Sequence, residues 1–266
     1  MKIKCSIVMS SFSRSGLLNH GLFSLNSQIQ KLSNDYDFEI VVNNDGFDND
    51  ETRAVCERFK VLNVKYVFSG QRNSNGAIFR NPAVPNNIAF KQSSGDIVFL
   101  TCPEIYHYEN SLEKSLNMLK SNKKIMTTFL YLYMDDGRVL NNISNNIEEN
   151  HKYILNCGLD KHYDLIEMPF FMGLWRDEFE AIGGYDEDFI GYAGEDNDLV
   201  RRLIMNGLKY SKFKSDAVHL FHGKAGGSLN ESTIPKGMMD KWRYNIKIAE
   251  ERKNILVRNK GKEWGK

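Results

Sequence analysis

Phe38-Glu39-Ile40-Val41-Val42-Asn43-Asn44-Asp45-Gly46 is a short apolar run that stops abruptly on an amide-rich turn. A run of this kind suits a strand buried on both faces. Asn-Asp-Gly ends it because these side chains bond their own backbone and tolerate left-handed conformations. The same unit recurs on both sides of it. Upstream, residues 2–9 read as a strand, 10–16 as a polar turn, and Leu17, Leu18, Leu22, Leu25, Ile29 and Leu32 recur at helical spacing. Downstream come a helix around 50–59, a strand at 64–68, a helix within 81–92 and a strand at 96–100. Strands alternating with helices predict an α/β fold, a Rossmann-like and mostly parallel sheet flanked by helices. Ligands on such sheets bind at the carboxyl ends of the strands, where the polar turns at 10–14, 43–45 and 101–104 all fall.

The remainder predicts a helix at 110–120, a strand at 125–134, a surface loop at 136–151 and a short helix at 177–182. A helix over 197–206 is closed by Gly207, a last strand covers 217–222, and everything from residue 236 onward reads as a helical tail. The simplest partition is one catalytic domain over 1–235, with 1–108 and 109–235 as its halves, and the tail at 236–266.

Bulk properties narrow the classes. A length of 266 residues with 41% apolar and 26% charged residues describes one large globular domain with an appendage. A net charge of +1 offers no global attraction for nucleic acid or acidic membranes, so no stable nucleic-acid partner is expected. Cys5, Cys56, Cys102 and Cys157 show no CxxC spacing, which argues against a disulfide framework or a zinc ribbon. The first apolar stretch is too short for a signal peptide and no segment is long enough for a membrane span, so the expectation is cytoplasmic.

Four pieces carry chemistry. Asp45 at the end of the second strand is either a simple turn residue or a carboxylate for a nucleoside base or ribose. Arg80-Asn81 precedes a helix, and a guanidinium there suits a diphosphate. Glu104 and His107 follow the fourth strand in Thr101-Cys102-Pro103-Glu104-Ile105-Tyr106-His107. They either end a strand at the surface or hold a divalent cation, Mg²⁺ or Mn²⁺. The fourth piece joins His219-Leu220-Phe221-His222 to the run from Gly183 to Leu199, in which six acidic residues are interleaved with glycines. In an unbroken strand His219 and His222 point to opposite faces, so only one would reach a shared site.

In this order the pieces resemble the GT-A nucleotide-sugar glycosyltransferases, family-two-like and inverting. Ser6-Ile7-Val8-Met9-Ser10-Ser11-Phe12-Ser13-Arg14 is similar to their opening strand and turn, and Val42-Asn43-Asn44-Asp45-Gly46 to their strand ending in Asp-Asp-Gly. Gly194-Glu195-Asp196-Asn197-Asp198 resembles the Gly-Glu-Asp-x-Asp of galactosyltransferases and chondroitin-type polymerases. The likeness departs after the fourth strand, where the usual Asp-x-Asp is replaced by Thr101-Cys102-Pro103-Glu104. Some relatives carry Pro-Glu with a histidine three residues later, as here.

The resemblance implies a nucleotide diphosphate sugar donor, most often uridine-based, and a glycan or other hydroxyl acceptor. It places Asp45, Ser11 and Arg14 at the base and ribose, Arg80 and Asn81 at the diphosphate, and Mn²⁺ or Mg²⁺ on Glu104 with His107, His219 or His222. Asp196 becomes the general base and Glu195 orients the acceptor. Trp175 and Phe170-Phe171-Met172 either pack on a sugar or belong to the core. A retaining transferase and a non-catalytic sugar or nucleotide binder are the rival readings. A sugar nucleotidyltransferase is disfavoured because residues 10–16 lack its glycine-rich opening.

Overall fold

The computed structural model describes residues 2–70, 81–163, 170–191, 193–222 and 236–266. Its spine is β1 (Ile3–Ser11), which pairs in parallel with β2 (Tyr36–Asn44) on one side and β4 (Ile97–Thr101) on the other. β3 (Val64–Phe68) extends the sheet beyond β2. On the far side β9 (Phe171–Trp175) runs antiparallel between β4 and β6 (Ile125–Phe129), and β10 (Lys209–Phe213) closes the edge parallel to β6. The order is thus β10-β6-β9-β4-β1-β2-β3, with one reversed strand among seven.

The alternation within these strands explains why they read as unbroken apolar runs. Ile7, Ile40, Val42 and Phe99 face a core shared with α1 (Ser15–Leu32), α2 (Thr52–Arg58) and α4 (Ser111–Ser121). Val8, Val41, Val98 and Leu100 face the opposite core, built with α3 (Ala83–Lys91), α6 (Arg176–Ala181) and α7 (Glu195–Met205). A strand covered on both faces has no polar side, so its period-two signal vanishes.

A second sheet orders β5 (Ile105–His107), β11 (Ala217–His219), β7 (Leu132–Met134) and β8 (Asp160–His162). It packs Tyr106 and Val218 with Val139 and with Ile154 of α5 (Ile147–Asn156).

Several expectations are corrected here. The strand expected over 125–134 is two strands in different sheets: Leu130 turns outward and donates its N–H to Phe213, and the chain crosses to β7. The loop expected over 136–151 already contains the start of α5, capped by Asn146, whose side chain accepts from the amides of Glu148 and Glu149. The last strand ends short of 222: the Leu220 amide still meets the Glu104 carbonyl at 2.9 Å, but the Phe221 amide turns away to the Asp135 carboxylate. The tail is helical only through α8 (Lys236–Glu251). Residues 252–266 form a non-helical strap that returns to the sheet's flank, where Trp264 stacks on Phe90.

At the opposite end of the sheet a buried carboxylate ties the strand starts together. Glu39 accepts from Ser6 Oγ at 2.6 Å, from the Ser94 amide at 2.5 Å and from Ser94 Oγ at 2.8 Å. Burial raises its pKa, but these bonds outweigh burial and leave it below the ordinary carboxylate value. A lowered folded-state pKa stabilises above the unfolded value, and that stabilisation is lost as pH falls through the folded one. Replacing Glu39 by Gln is therefore expected to cost about 1–3 kcal/mol at neutral pH. Melting curves should show the gap to the wild type closing below roughly pH 4.

Candidate active site

The carboxyl edge of the large sheet opens into a pocket of about 680 Å³. Ser11 ends β1 and Arg14 follows it, Asp45 follows β2, Cys102 and Glu104 follow β4, and His222 reaches in from the segment after β11. Six residues scattered over more than two hundred positions meet because parallel strands deliver their turns to one edge.

On the nucleotide side, Asp45 is buried, its amide donates to the Ser11 carbonyl at 2.8 Å, and its Oδ1 accepts from Ser69 Oγ at 2.7 Å. The Ser11 hydroxyl is buried in the pocket wall without a hydrogen-bond partner, which marks it as a group awaiting a ligand. Arg14 lines the same pocket as Ser11 and Asp45. Its guanidinium faces Glu104 Oε1 at 3.6 Å, on the carboxylate side of the pocket. Arg80 lies outside the described residues. Asn81 is displaced from the expected diphosphate role: it is buried, donates to Glu195 Oε2 at 2.7 Å and accepts from the Ala83 amide.

Glu104, His219 and His222 form the one cluster among the described residues with metal-ligand geometry, their ligand atoms lying within 4.8 Å of one another. Both histidine Nε2 atoms stand 3.8 Å from Glu104 Oε1. The expectation that only one of the two histidines reaches the site is corrected. The strand breaks after His219, so the three-residue spacing no longer sends the rings apart. Burial lowers both imidazole pKa values, that of His219 to about 4, so at neutral pH their nitrogen lone pairs are free. Phe170 packs edge-on against His219 at 5.0 Å.

His107, expected as a ligand, is not part of this cluster. It is fully buried, its Nδ1 shares a 3.0 Å bond with Ser111 Oγ, and burial pushes its pKa down to about 3. Its ring packs against Phe129 and Phe171 in the core. Trp175 is likewise excluded from the sugar side. Its register partner is Ile97 at the amino end of β4, and its indole donates to the Leu119 carbonyl. Phe171 and Met172 are core residues.

The acidic run divides. Asp186, Asp188 and Asp198 hold arginines: Arg258 bridges Asp186 and Asp198 at 2.8 Å each, and Arg252 meets Asp186 at 2.8 Å and Asp188 at 2.9 Å. Gly183 and Gly184 do not make room for a ligand. A Cβ on Gly183 would stand 2.2 Å from the Arg258 carbonyl, and one on Gly184 would stand 2.7 Å from the Trp264 ring. Glu187 accepts from Asn87 and from the Gly265 amide, while Glu195 and Asp196, at the start of α7, lie outside the residues that line the pocket. Asp196 accepts from the Tyr185 hydroxyl at 3.0 Å. Its pKa is raised well above the ordinary carboxylate value, first by burial and then by the neighbouring Glu195, against the lowering effect of Tyr185. Burial also raises Glu195. The Cys102 thiol is pushed well up by burial and then by the charges of Glu104 and Asp196, so both sides of the site act on one side chain.

One residue was not singled out in the sequence. Asp135 is buried just after β7, and its carboxylate accepts four backbone amides, those of Gly137, Val139, Leu140 and Phe221. Its own amide donates to the His219 carbonyl at 3.0 Å. It thereby fixes the segment that carries both histidines. The Asp-Asp-Gly at 135–137, between the expected strand at 125–134 and the expected loop at 136–151, is the signal that could have found it.

A sheet flanked on both faces, with one reversed strand and a pocket of about 680 Å³ at its carboxyl edge, is the architecture of a GT-A glycosyltransferase. The chain belongs to glycosyl transferase family 2, whose sequence pattern matches residues 6–183. A second pattern, the N-terminal domain of galactosyltransferase, matches residues 157–224, which span the acidic run and both histidines. Among solved structures, S. aureus TarS in complex with UDP superposes with a TM-score of 0.59 at 15% identity, over 96% of this chain and 83% of that one. Glucosyl-3-phosphoglycerate synthase from Mycobacterium tuberculosis, in complex with Mn²⁺, UDP and phosphoglyceric acid, gives 0.54 at 14%, over 95% and 79%. The catalytic domain of Drosophila β1,4-galactosyltransferase 7 with xylobiose gives 0.54 at 11%, over 90% and 79%. At these identities the likeness is one of fold.

Replacing Asp135 by Ala strips acceptors from four amides at once. A loss of about 2–3 kcal/mol is expected, read as a melting temperature lower by several degrees. Intact melting behaviour would show that the loop holds itself.

Proposed function

We propose that this glycosyltransferase moves a sugar from a uridine diphosphate sugar to an acceptor hydroxyl, with a divalent cation and inversion at the anomeric carbon. The observation that carries the reading is the convergence of Asp45, Ser11, Glu104 and His222 on one pocket, the last two clustered with His219 just outside its lining. TarS has been solved with UDP and with UDP-GlcNAc, and the mycobacterial synthase with Mn²⁺ and UDP, which supports a uridine donor on this fold. In this reading residues 1–108 serve the donor, residues 109–235 the acceptor, and the protein works in the cytoplasm. Among the described residues no helix is long and apolar enough to cross a membrane.

The donor set fits a cation. Glu104 Oε2 and His222 Nδ1 are buried without partners, and the two imidazoles are neutral at physiological pH. Two nitrogens and a carboxylate favour Mn²⁺ over Mg²⁺, which prefers oxygen ligands. A cation held there supplies Lewis-acid neutralisation of the leaving diphosphate. Arg14 adds a fixed positive charge on the same side, and Asp45 with the Ser11 hydroxyl receives the nucleoside. Asp196, oriented by Tyr185, takes the proton from the acceptor hydroxyl. Glu195, held by Asn81, orients that acceptor. A raised pKa makes Asp196 a stronger base than an exposed carboxylate, at the cost of needing a higher pH to be ionised.

Thermal-shift screening of UDP-, GDP- and TDP-sugars with and without Mn²⁺ is expected to show stabilisation by a UDP-sugar that grows with Mn²⁺. Glu104→Gln and His219→Ala should remove the Mn²⁺ increment. No stabilisation by any of these sugars would overturn the reading, and NMR of the product anomer would separate inversion from retention.

Asp196→Asn is expected to lower turnover by about 10²–10⁴-fold. It should also raise the melting temperature at neutral pH. A pKa raised by folding stabilises only below the unfolded value near 3.9, and that contribution is lost as pH rises. The ionised carboxylate is thus a burden on the fold at pH 7, so the variant's gain should vanish in acid. The acid limb of the wild-type rate profile should lie above the ordinary carboxylate range.

A further inference from the structure

The first turn of α7 carries Asp196 and follows a chain reversal that backbone ladders do not hold. Gly191, Ala193 and Gly194 take left-handed φ values of 65°, 61° and 101°. Asn245, in the middle of α8, is fully buried and grips this reversal from behind. It accepts from the Ile190 amide at 3.0 Å and donates to the Ile190 and Ala193 carbonyls at 2.7 Å each. Two residues beyond Asp196, Asp198 is gripped in turn by Arg258 of the strap. The Arg258 amide also donates to the Ile182 carbonyl at 3.0 Å. A third grip reaches the partner of Asp196: Asn259 donates to the carbonyls of Gly183 and Tyr185 at 2.9 and 2.7 Å. Among the described residues none of those lining the pocket comes from beyond residue 222.

We infer that α8 and the strap 252–266 form a positioning clamp for the catalytic carboxylate, with Asn245, Arg258 and Asn259 as its positioning residues. The inference rests on Asp196 being the base. The basic character of this tail is not a docking surface in this account. Arg243 pairs with Asp240, Lys247 with Glu251 and Lys253 with Glu250, so its exposed cations largely answer acids of the same helix. The buried polar groups of the tail instead face the acid-bearing turn. They act on the reaction by fixing where Asp196 stands, since a displacement of about 1 Å can cost roughly a hundredfold in rate.

The test uses Asn245→Ala and the milder Asn259→Ala in the full chain. UDP release with Mn²⁺ is measured from UDP-glucose, UDP-galactose and UDP-N-acetylglucosamine, with water as acceptor, well below each variant's melting temperature. The expected result is a fall in kcat of at least about tenfold, with the donor KM within about twofold of the wild type. Hydrogen exchange should accelerate in peptides covering residues 193–199 while the strands β1, β2 and β4 stay protected. Unchanged exchange at 193–199 overturns the clamp whatever the activity. Faster exchange with unchanged kcat overturns its catalytic role and leaves a merely structural tail. If the wild type releases UDP from none of the three sugars, the donor reading fails by itself, and exchange still decides whether the clamp exists.

Discussion

The seating of α7 on the rest of the enzyme depends on the buried ion network around Asp198. Arg202 is wholly enclosed, donating to Asp198 Oδ2 at 2.6 Å and to the carbonyls of Ile182 and Gly184 at 3.0 and 2.8 Å. Arg258 and Arg201 reach the other oxygen of the same carboxylate. Burial lowers the Arg202 pKa, as the cost of removing a cation from water requires, while Asp198 pulls it back. Such a network adds little net stability over an apolar core, but leaving one member unpaired costs about 3–5 kcal/mol. Its value is geometric. Carbonyls, carboxylates and guanidinium forks fix direction as well as distance, so α7, the Gly183-Gly184 turn and the strap have one way to fit together.

The pocket contrasts with that network. Where the network is crowded with opposite charges, the pocket wall holds the His222 imidazole, whose pKa burial lowers, a serine hydroxyl without a partner and the Glu104 carboxylate, of which one oxygen is unmatched. Arg14 and Glu104 face each other at 3.6 Å, longer than a hydrogen bond, so each remains open to a closer partner.

The first four strands were legible because their signals are local. β2 and β4 carry short apolar runs with a polar stop, and Val64–Phe68 falls where the residues alone place it. Asp45 and Glu104 lie immediately after such runs. What stayed hidden is non-local. β9 enters as an antiparallel strand between β4 and β6, and nothing within Phe171–Trp175 states a direction. Phe129 and Leu132 are close in sequence but belong to different sheets, a separation set by the Phe213 carbonyl far along the chain. His107 and Glu104 share one short segment, yet the three residues of β5 point that ring into the core. The acidic run misled for the same reason. Three of its six acids, Asp186, Asp188 and Asp198, answer arginines of the strap, which lie up to 72 positions further on, as between Asp186 and Arg258.

That interlock has a consequence for building chimeras from members of this family. The acid-bearing turn cannot be exchanged as a cassette, because the space above Gly183 and Gly184 is already occupied by the strap and Asp198 is shared with Arg258. The exchangeable block is discontinuous: residues 182–202 must travel with 245–265. Crossover points drawn between them would join halves that each fold around a vacancy the other was shaped to fill.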